Sequence, residues 1–216
     1  MQQVSISGDT RFDRVGAVEE PLAFMETFVG LRKCIIAGST WPEDEAILRE
    51  SIRQTPKDWC WLIAPHEIHG EKLNQLMTQL PKESLRFTQN EEAAFDGCPV
   101  LVLDTVGMLS RCYPYASLAY VGGGMGTAGL HNILEPAAQG VPIIIGKNYD
   151  RFVEAKDLIA QGGVISVDNA ESCSKQLSIL QQNDVVRSEK GNTNKSYVLT
   201  NKGATLKTVS ILNQNL

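Results

Sequence analysis

The chain has 216 residues, 43% of them hydrophobic and 21% charged, with a formal net charge of -5 at pH 7. That balance suits one large or two small soluble globular domains. With no long basic run it argues against a nucleic-acid carrier, and no apolar stretch approaches the ~20 residues that span a bilayer. The five cysteines are widely spaced, odd in number and contain no CxxC pair, so neither a zinc ribbon nor a thioredoxin-type motif is indicated. Cys34, Cys60 and Cys112 sit in or beside apolar runs and read as buried thiols of a reducing compartment. The opening MQQVSISGDTRFD has no apolar core of a signal peptide, so a cytoplasmic protein is expected.

Along the chain, short apolar runs alternate with amphipathic segments. Cys34–Ala37 reads as a buried strand running into Gly38-Ser39-Thr40. The acidic segment 42–54 follows as a helix, with Pro42 and Glu43, Asp44 and Glu45 suited to its first turn. Trp59–Ala64 is a second strand, ending in Pro65-His66-Glu67. Residues 71–80 carry Leu73, Leu76, Met77 and Leu80 on one helical face. Residues 85–88 and 100–103 read as strands, the second ending in Asp104-Thr105. Residues 107–116 read as a helix interrupted by Pro114. Leu118–Val121 is the strand before a glycine-rich loop, and 132–139 the next helix, closed by Gly140. Residues 141–145 and 164–167 are strands around a helix at 152–160. The tail from Ala170 is mostly helical, with Gly191 and Gly203 as breaks.

Strands apolar on both faces, alternating with helices, indicate an α/β fold: a Rossmann-like, doubly wound parallel sheet of six or seven strands. No linker or repeat divides it, so residues 1–216 form one domain. Ligands of such folds bind at the carboxyl ends of the strands. That rule selects residues 38–40, 65–67, 104–108 and 122–135, every one of them polar or glycine-bearing.

Gly124-Met125-Gly126-Thr127-Ala128-Gly129 fits GxGxxG after a strand, which raises a dinucleotide reading with Asp150 as the ribose acid. Two features oppose it: several strands precede the motif, and a helix begun at Gly129 would hold Pro136 in its interior, at a cost of ~3 kcal/mol. Asn132 and Glu135 stand one helical turn apart beside a possible anion site. They fit a capping box equally well. Ser39-Thr40 is either an N-cap or a phosphate ligand. Of the three histidines, His66, His69 and His131, His66 follows a strand directly and could meet a base or a phosphate. No His/Asp/Glu spacing suggests a metal site, and no Ser-His-Asp arrangement is legible.

Several blocks together resemble the 3-deoxy-D-manno-octulosonic acid (Kdo) transferase family. They are Ile36–Thr40, Ala64-Pro65-His66, Asp104–Gly107, Tyr120–Gly123 and, the most specific, Gly129-Leu130-His131-Asn132-Ile133-Leu134-Glu135-Pro136-Ala137-Ala138. The opening Gly8–Val15 resembles the family's entry into its second domain. The resemblance reaches to about Asp168. It implies one half of a GT-B glycosyltransferase, the C-terminal half that binds CMP-Kdo. The absent N-terminal half would bind the lipid A precursor and supply the catalytic acidic residue and a membrane-facing helix, placing the whole enzyme at the cytoplasmic face of the bacterial inner membrane.

By position in the family's blocks, Glu135 would bond the CMP ribose and Asn132 would sit beside the phosphate. Gly38, Ser39 and Thr40 would line the phosphate side, Gly107 and Met108 would offer backbone groups, and Pro65 and His66 would flank the cytosine. Gly123 and His131 complete the set. No catalytic residue, metal or resident cofactor is expected in this chain. The chain departs from the family in having His66 where many members have Arg, and Met108 where an acid is common. An imidazole titrates where a guanidinium does not. Other readings remain open: another GT-B transferase, a UDP-sugar epimerase, a dinucleotide-binding oxidoreductase or a non-enzymatic interaction domain.

Overall fold

The computed structural model describes residues 4–16, 20–68 and 70–214; His69 lies outside them. Among these residues seven strands form one sheet: β1 (Lys33–Thr40), β2 (Trp59–Pro65), β3 (Leu85–Arg86), β4 (Val100–Val102), β5 (Leu118–Val121), β6 (Ile143–Gly146) and β7 (Val164–Val167). Their order is β3-β4-β2-β1-β5-β6-β7, and every pairing is parallel.

A two-sided strand needs two cores, and the alternation along β1 shows both. Cys34 and Ile36 point into one apolar cluster, Ile35 and Ala37 into the other. β2 divides likewise, with Cys60 and Leu62 against Trp59, Trp61 and Ile63. Each aliphatic side chain so buried stabilises the fold by roughly 1.5–3 kcal/mol. Helices α2 (Pro42–Arg53), α3 (Gly70–Gln79) and α7 (Ala170–Gln182) cover the face of Ile35 and Trp61. Helices α1 (Ala23–Val29), α5 (Leu134–Ala138), α6 (Val153–Ala160) and α8 (Asp184–Thr200) cover the other. Helix α4 (Leu109–Cys112) precedes β5, and α9 (Ala204–Gln214) ends the described chain. No helix among the described residues is long and apolar enough to cross a membrane.

Four sequence-based boundaries are corrected. The segment 38–40 is not a loop but the end of β1, kinked by a register shift between Gly38 and Thr40, with Ser39 at φ +53°. The helix expected over 107–116 is only α4 plus a 3-10 turn at Tyr113–Tyr115, since Pro114 ends the α-helical ladder. The helix expected from Asn132 starts at Leu134 and has five residues. Gly191 breaks nothing: it lies inside α8, where the backbone of Gly140 packs so closely that a Cβ would collide with its carbonyl. The true interruptions are Asn183, which caps α8 by accepting the Val186 N–H, and Gly203.

The strand order reverses between β1 and β5. After β1 the chain moves outward to β2, β3 and β4; it then returns to the other side of β1 as β5 and continues to β6 and β7. The carboxyl ends of β1 and β5 therefore frame the topological switch point, where open α/β sheets take their ligands.

Candidate functional site

The glycine loop after β5 is built by close backbone packing. Gly123 has φ +88°, and a Cβ there would strike the Gly129 carbonyl; at Gly122 it would strike the Ser39 carbonyl. The Gly122 N–H donates to Gly38 O (2.9 Å) and the His131 N–H to Gly122 O (3.1 Å). The loop is thus folded on itself and on the end of β1. Residues 122–133 carry no helix, so the GxGxxG stretch lacks the helix that a dinucleotide fingerprint opens. That reading is set aside.

One carboxylate locks this arrangement. Asp44 of α2 is fully buried and accepts the Trp41 N–H (3.0 Å), the Gly123 N–H (2.8 Å) and the Tyr120 hydroxyl (2.7 Å). Three donors on one carboxylate join the β1–α2 junction, β5 and the glycine loop. Burial beside this charge pushes the Tyr120 hydroxyl well above its ordinary pKa. The sequence placed Asp44 only in a helix first turn; its third-position spacing from Trp41 was the available signal.

Three expected ligand groups prove to be engaged by the protein. The space at Gly38 is filled by the Tyr113 hydroxyl and the Leu109 side chain. The Thr40 hydroxyl is buried and donates to Glu45 Oε1 (3.0 Å), a carboxyl that burial raises above its ordinary pKa. The Gly123 N–H belongs to Asp44. Asp104, at the end of β4, is likewise satisfied by Arg86 (2.9 Å), the Thr88 N–H (2.9 Å) and the Thr88 hydroxyl (2.6 Å). Burial pushes its pKa up, but these bonds outweigh it and hold it below the ordinary value.

What remains open is a set of side chains around the switch point. Ser39 is half-exposed at the β1 end. Pro65 closes β2 as the register partner of Thr40, and its successor His66 is exposed. The His66 ring stacks on Trp41 at 4.4 Å and leans on His131 at 4.7 Å. His131 accepts the Trp41 indole N–H at Nε2 (3.0 Å). Burial, then the neighbouring His66, lowers the His131 pKa, with Asp44 opposing. Trp41 was not foreseen in the sequence.

Asn132 is exposed; its Oδ1 accepts the Leu134 N–H (3.0 Å) and its Nδ2 donates to Glu135 Oε1 (3.1 Å). Asn132 thus takes the first N–H of the short helix from one residue before its N-cap, Ile133, and among the described residues Glu135 has one bond. Burial raises the Glu135 pKa, the Asn132 bond opposing. A helix of five residues has a weak dipole, so the anion-binding element here is the side chains more than the helix. Asn132 and Glu135 also line a cleft of about 330 Å³ with Ser110, Arg111, Arg11 and Arg14. Gly107, in a left-handed turn at φ +86°, and half-buried Met108 lead directly into its α4 wall. Arg11 is committed to Asp9 and Glu154. No spacing in the sequence pointed to these arginines. Among the described residues, no three His, Cys, Asp or Glu side chains converge as a metal site.

No protein-family model matches the chain. It is 28% identical over 222 residues to the 3-deoxy-D-manno-octulosonic acid transferase of Haemophilus influenzae, covering 98% of this chain and 51% of that protein. The chain thus spans about half the length of this curated relative. Among solved structures it is similar to the C-terminal CMP-Kdo binding domain of WaaA from Acinetobacter baumannii, at TM-score 0.67 and 19% identity, over 82% of this chain and 98% of that one. It is also similar to WaaG, a glycosyltransferase involved in lipopolysaccharide biosynthesis, at TM-score 0.58 and 12% identity, over 92% of this chain and 52% of that one. The fold is that of a GT-B glycosyltransferase domain.

Proposed function

We propose that this chain, a homologue of the Kdo transferases along nearly its whole length, is the donor-nucleotide half of such an enzyme and binds CMP-Kdo. The whole enzyme transfers Kdo to a lipid A precursor at the cytoplasmic face of the inner membrane. An N-terminal half supplies the acceptor site and the base, and this half alone is inactive. The observation that carries the reading is Glu135: a half-buried carboxylate at the switch point, with one hydrogen-bond donor, Asn132, among the described residues. A carboxylate has room for about four hydrogen bonds, so two ribose hydroxyls fit beside the one from Asn132.

In the inverting transfer the acceptor hydroxyl gives its proton to the base of the other domain and attacks the anomeric carbon. The bond from that carbon to the phosphate oxygen breaks, and CMP leaves with the electron pair. Groups of this chain act on the leaving group. Glu135 holds the ribose, Asn132, Ser39 and His131 surround the phosphate, and the turn at Gly107-Met108 borders the nucleoside. Donors fixed before the reaction stabilise developing charge without reorganisation, so the proposal requires no metal and no resident cofactor.

The test is calorimetric titration with CMP. Saturable binding, stronger than for UMP, is expected. Absence of binding at millimolar CMP would overturn the reading, and a preference for UMP would move it to a UDP-sugar enzyme.

A further inference from the structure

We infer that Trp41 is a positioning residue: its indole fixes His131 as the neutral imidazole protonated on Nδ1 and leaves that N–H as a donor to the nucleotide phosphate. The inference rests on the donor-binding reading for its ligand, and on geometry alone for the tautomer.

An indole N–H can only donate. At 3.0 Å from the Trp41 nitrogen, His131 Nε2 must therefore offer a lone pair. A neutral imidazole has one protonated and one bare nitrogen, so the proton of His131 sits on Nδ1. The two ring planes lie within 15° of parallel, which a bond in the plane of the rings needs. His66 covers the seam between them, 4.4 Å from one ring centre and 4.7 Å from the other. The pair is thus held in plane by a bond and from above by a stack.

The third edge of the imidazole is also fixed. Its Cδ2 abuts Gly123, at a spot where a Cβ would come within 3.0 Å of it. With Cδ2 against the loop and Nε2 on Trp41, Nδ1 takes the opposite edge. No described residue is hydrogen-bonded to Nδ1, and it is not among the buried polar atoms without partners. It therefore opens toward solvent, on the residue preceding Asn132. A neutral, oriented N–H next to Asn132 suits an anionic oxygen.

Protonation of His131 would place an N–H against the indole N–H. The groups around it work in both directions: burial and then His66 disfavour that proton, while Asp44 favours it.

Two measurements test this. Long-range proton–nitrogen NMR of the ligand-free chain at pH 8 reports which imidazole nitrogen of His131 carries the proton; Nδ1 is expected, and a proton on Nε2 overturns the inference whether or not CMP binds. Trp41→Phe keeps a six-membered aromatic ring beside His66 and removes the N–H donor together with the rest of the indole, so the cytidine control reports the lost stacking. It should release His131 from the Nδ1-H form and weaken CMP binding by about tenfold, the scale of one hydrogen bond to a charged group. Cytidine, which lacks the phosphate, should lose less than about twofold. An unchanged tautomer and CMP affinity in Trp41→Phe, or an equal loss for cytidine, overturns the inference. Failure of the unaltered chain to bind CMP overturns the donor reading and the ligand-facing role together, while the tautomer result stands separately.

Discussion

The β1–α2 and β5–α5 junctions face each other across the switch point, and each presents a carboxylate. Asp44, in the first, is fully buried and takes three protein donors. Glu135, in the second, is half-buried and takes one. A buried carboxylate needs its lone pairs filled. Asp44 is filled by the fold and so serves as scaffold. Glu135 is not; burial raises its pKa, and only the Asn132 bond opposes that. Position at the carboxyl edge of the sheet does not separate structure from function here; the degree of saturation does.

The sharpest way to break this contrast is Asp44→Ala. It would strand the Tyr120 hydroxyl and two backbone N–H groups, at about 1–3 kcal/mol for each buried unsatisfied group. A loss on the order of 4 kcal/mol in urea unfolding is expected, enough to undo much of an ordinary domain's stability. A loss below about 1 kcal/mol would mean that Asp44 does not hold the loop. Next in size is Gly123→Ala. The left-handed backbone alone costs roughly 1–3 kcal/mol for a non-glycine residue, and the Gly129 carbonyl occupies the space of the new methyl. A drop of about 2–3 kcal/mol is expected, with CMP affinity lost through the distorted loop.

The sheet was readable because apolar runs such as Cys34–Ala37 and Trp59–Ala64 have no polar face to expose, which forces a two-sided core. The helix start near Asn132 was readable to within two residues, because Pro136 tolerates only the first turn of a helix. The saturation of Gly38, Thr40 and Gly123 was not readable. For Gly38 and Gly123 it depends on Tyr113 and Asp44 arriving from elements more than 70 residues away, where local spacing carries no signal; Glu45 lies five residues from Thr40, across the turn from β1 into α2. Trp41 was missed for the same reason: its partner His131 lies 90 residues away. Gly191 misled because a glycine inside a helix can mark close packing as readily as a break.

Glu135→Ala tests the other half of the contrast. One exposed Asn132 bond is lost, so unfolding stability should fall by less than about 0.5 kcal/mol. CMP affinity should fall tenfold to a hundredfold if the carboxylate takes ribose hydroxyls, at about 1.5–3 kcal/mol for hydrogen bonds to a charged group. The reverse pattern, with stability lost and affinity kept, would make Glu135 a helix cap.

The smallest expected effect is on pH dependence, and it divides the β5–α5 junction internally. The folded pKa of His131 lies below its ordinary value of 6.5. Above 6.5 both folded and unfolded forms are neutral and stability is full. As pH falls through 6.5 the unfolded chain takes up a proton first, so stability declines until the folded value is passed. Glu135 runs the other way: its folded pKa lies above the ordinary 4.5. Its contribution is complete below 4.5 and is lost as pH rises through the folded value. Both side chains are partly open to solvent, which holds each effect below about 1 kcal/mol. Urea midpoints between pH 4 and pH 8 should therefore decline less on acidification in His131→Gln than in the unaltered chain. In Glu135→Gln the small loss between pH 4.5 and neutrality should vanish. If both variants keep the profile of the unaltered chain, the burial that shifts the two groups is not what the fold imposes, and the half-filled carboxylate loses its meaning as a mark of the ligand site.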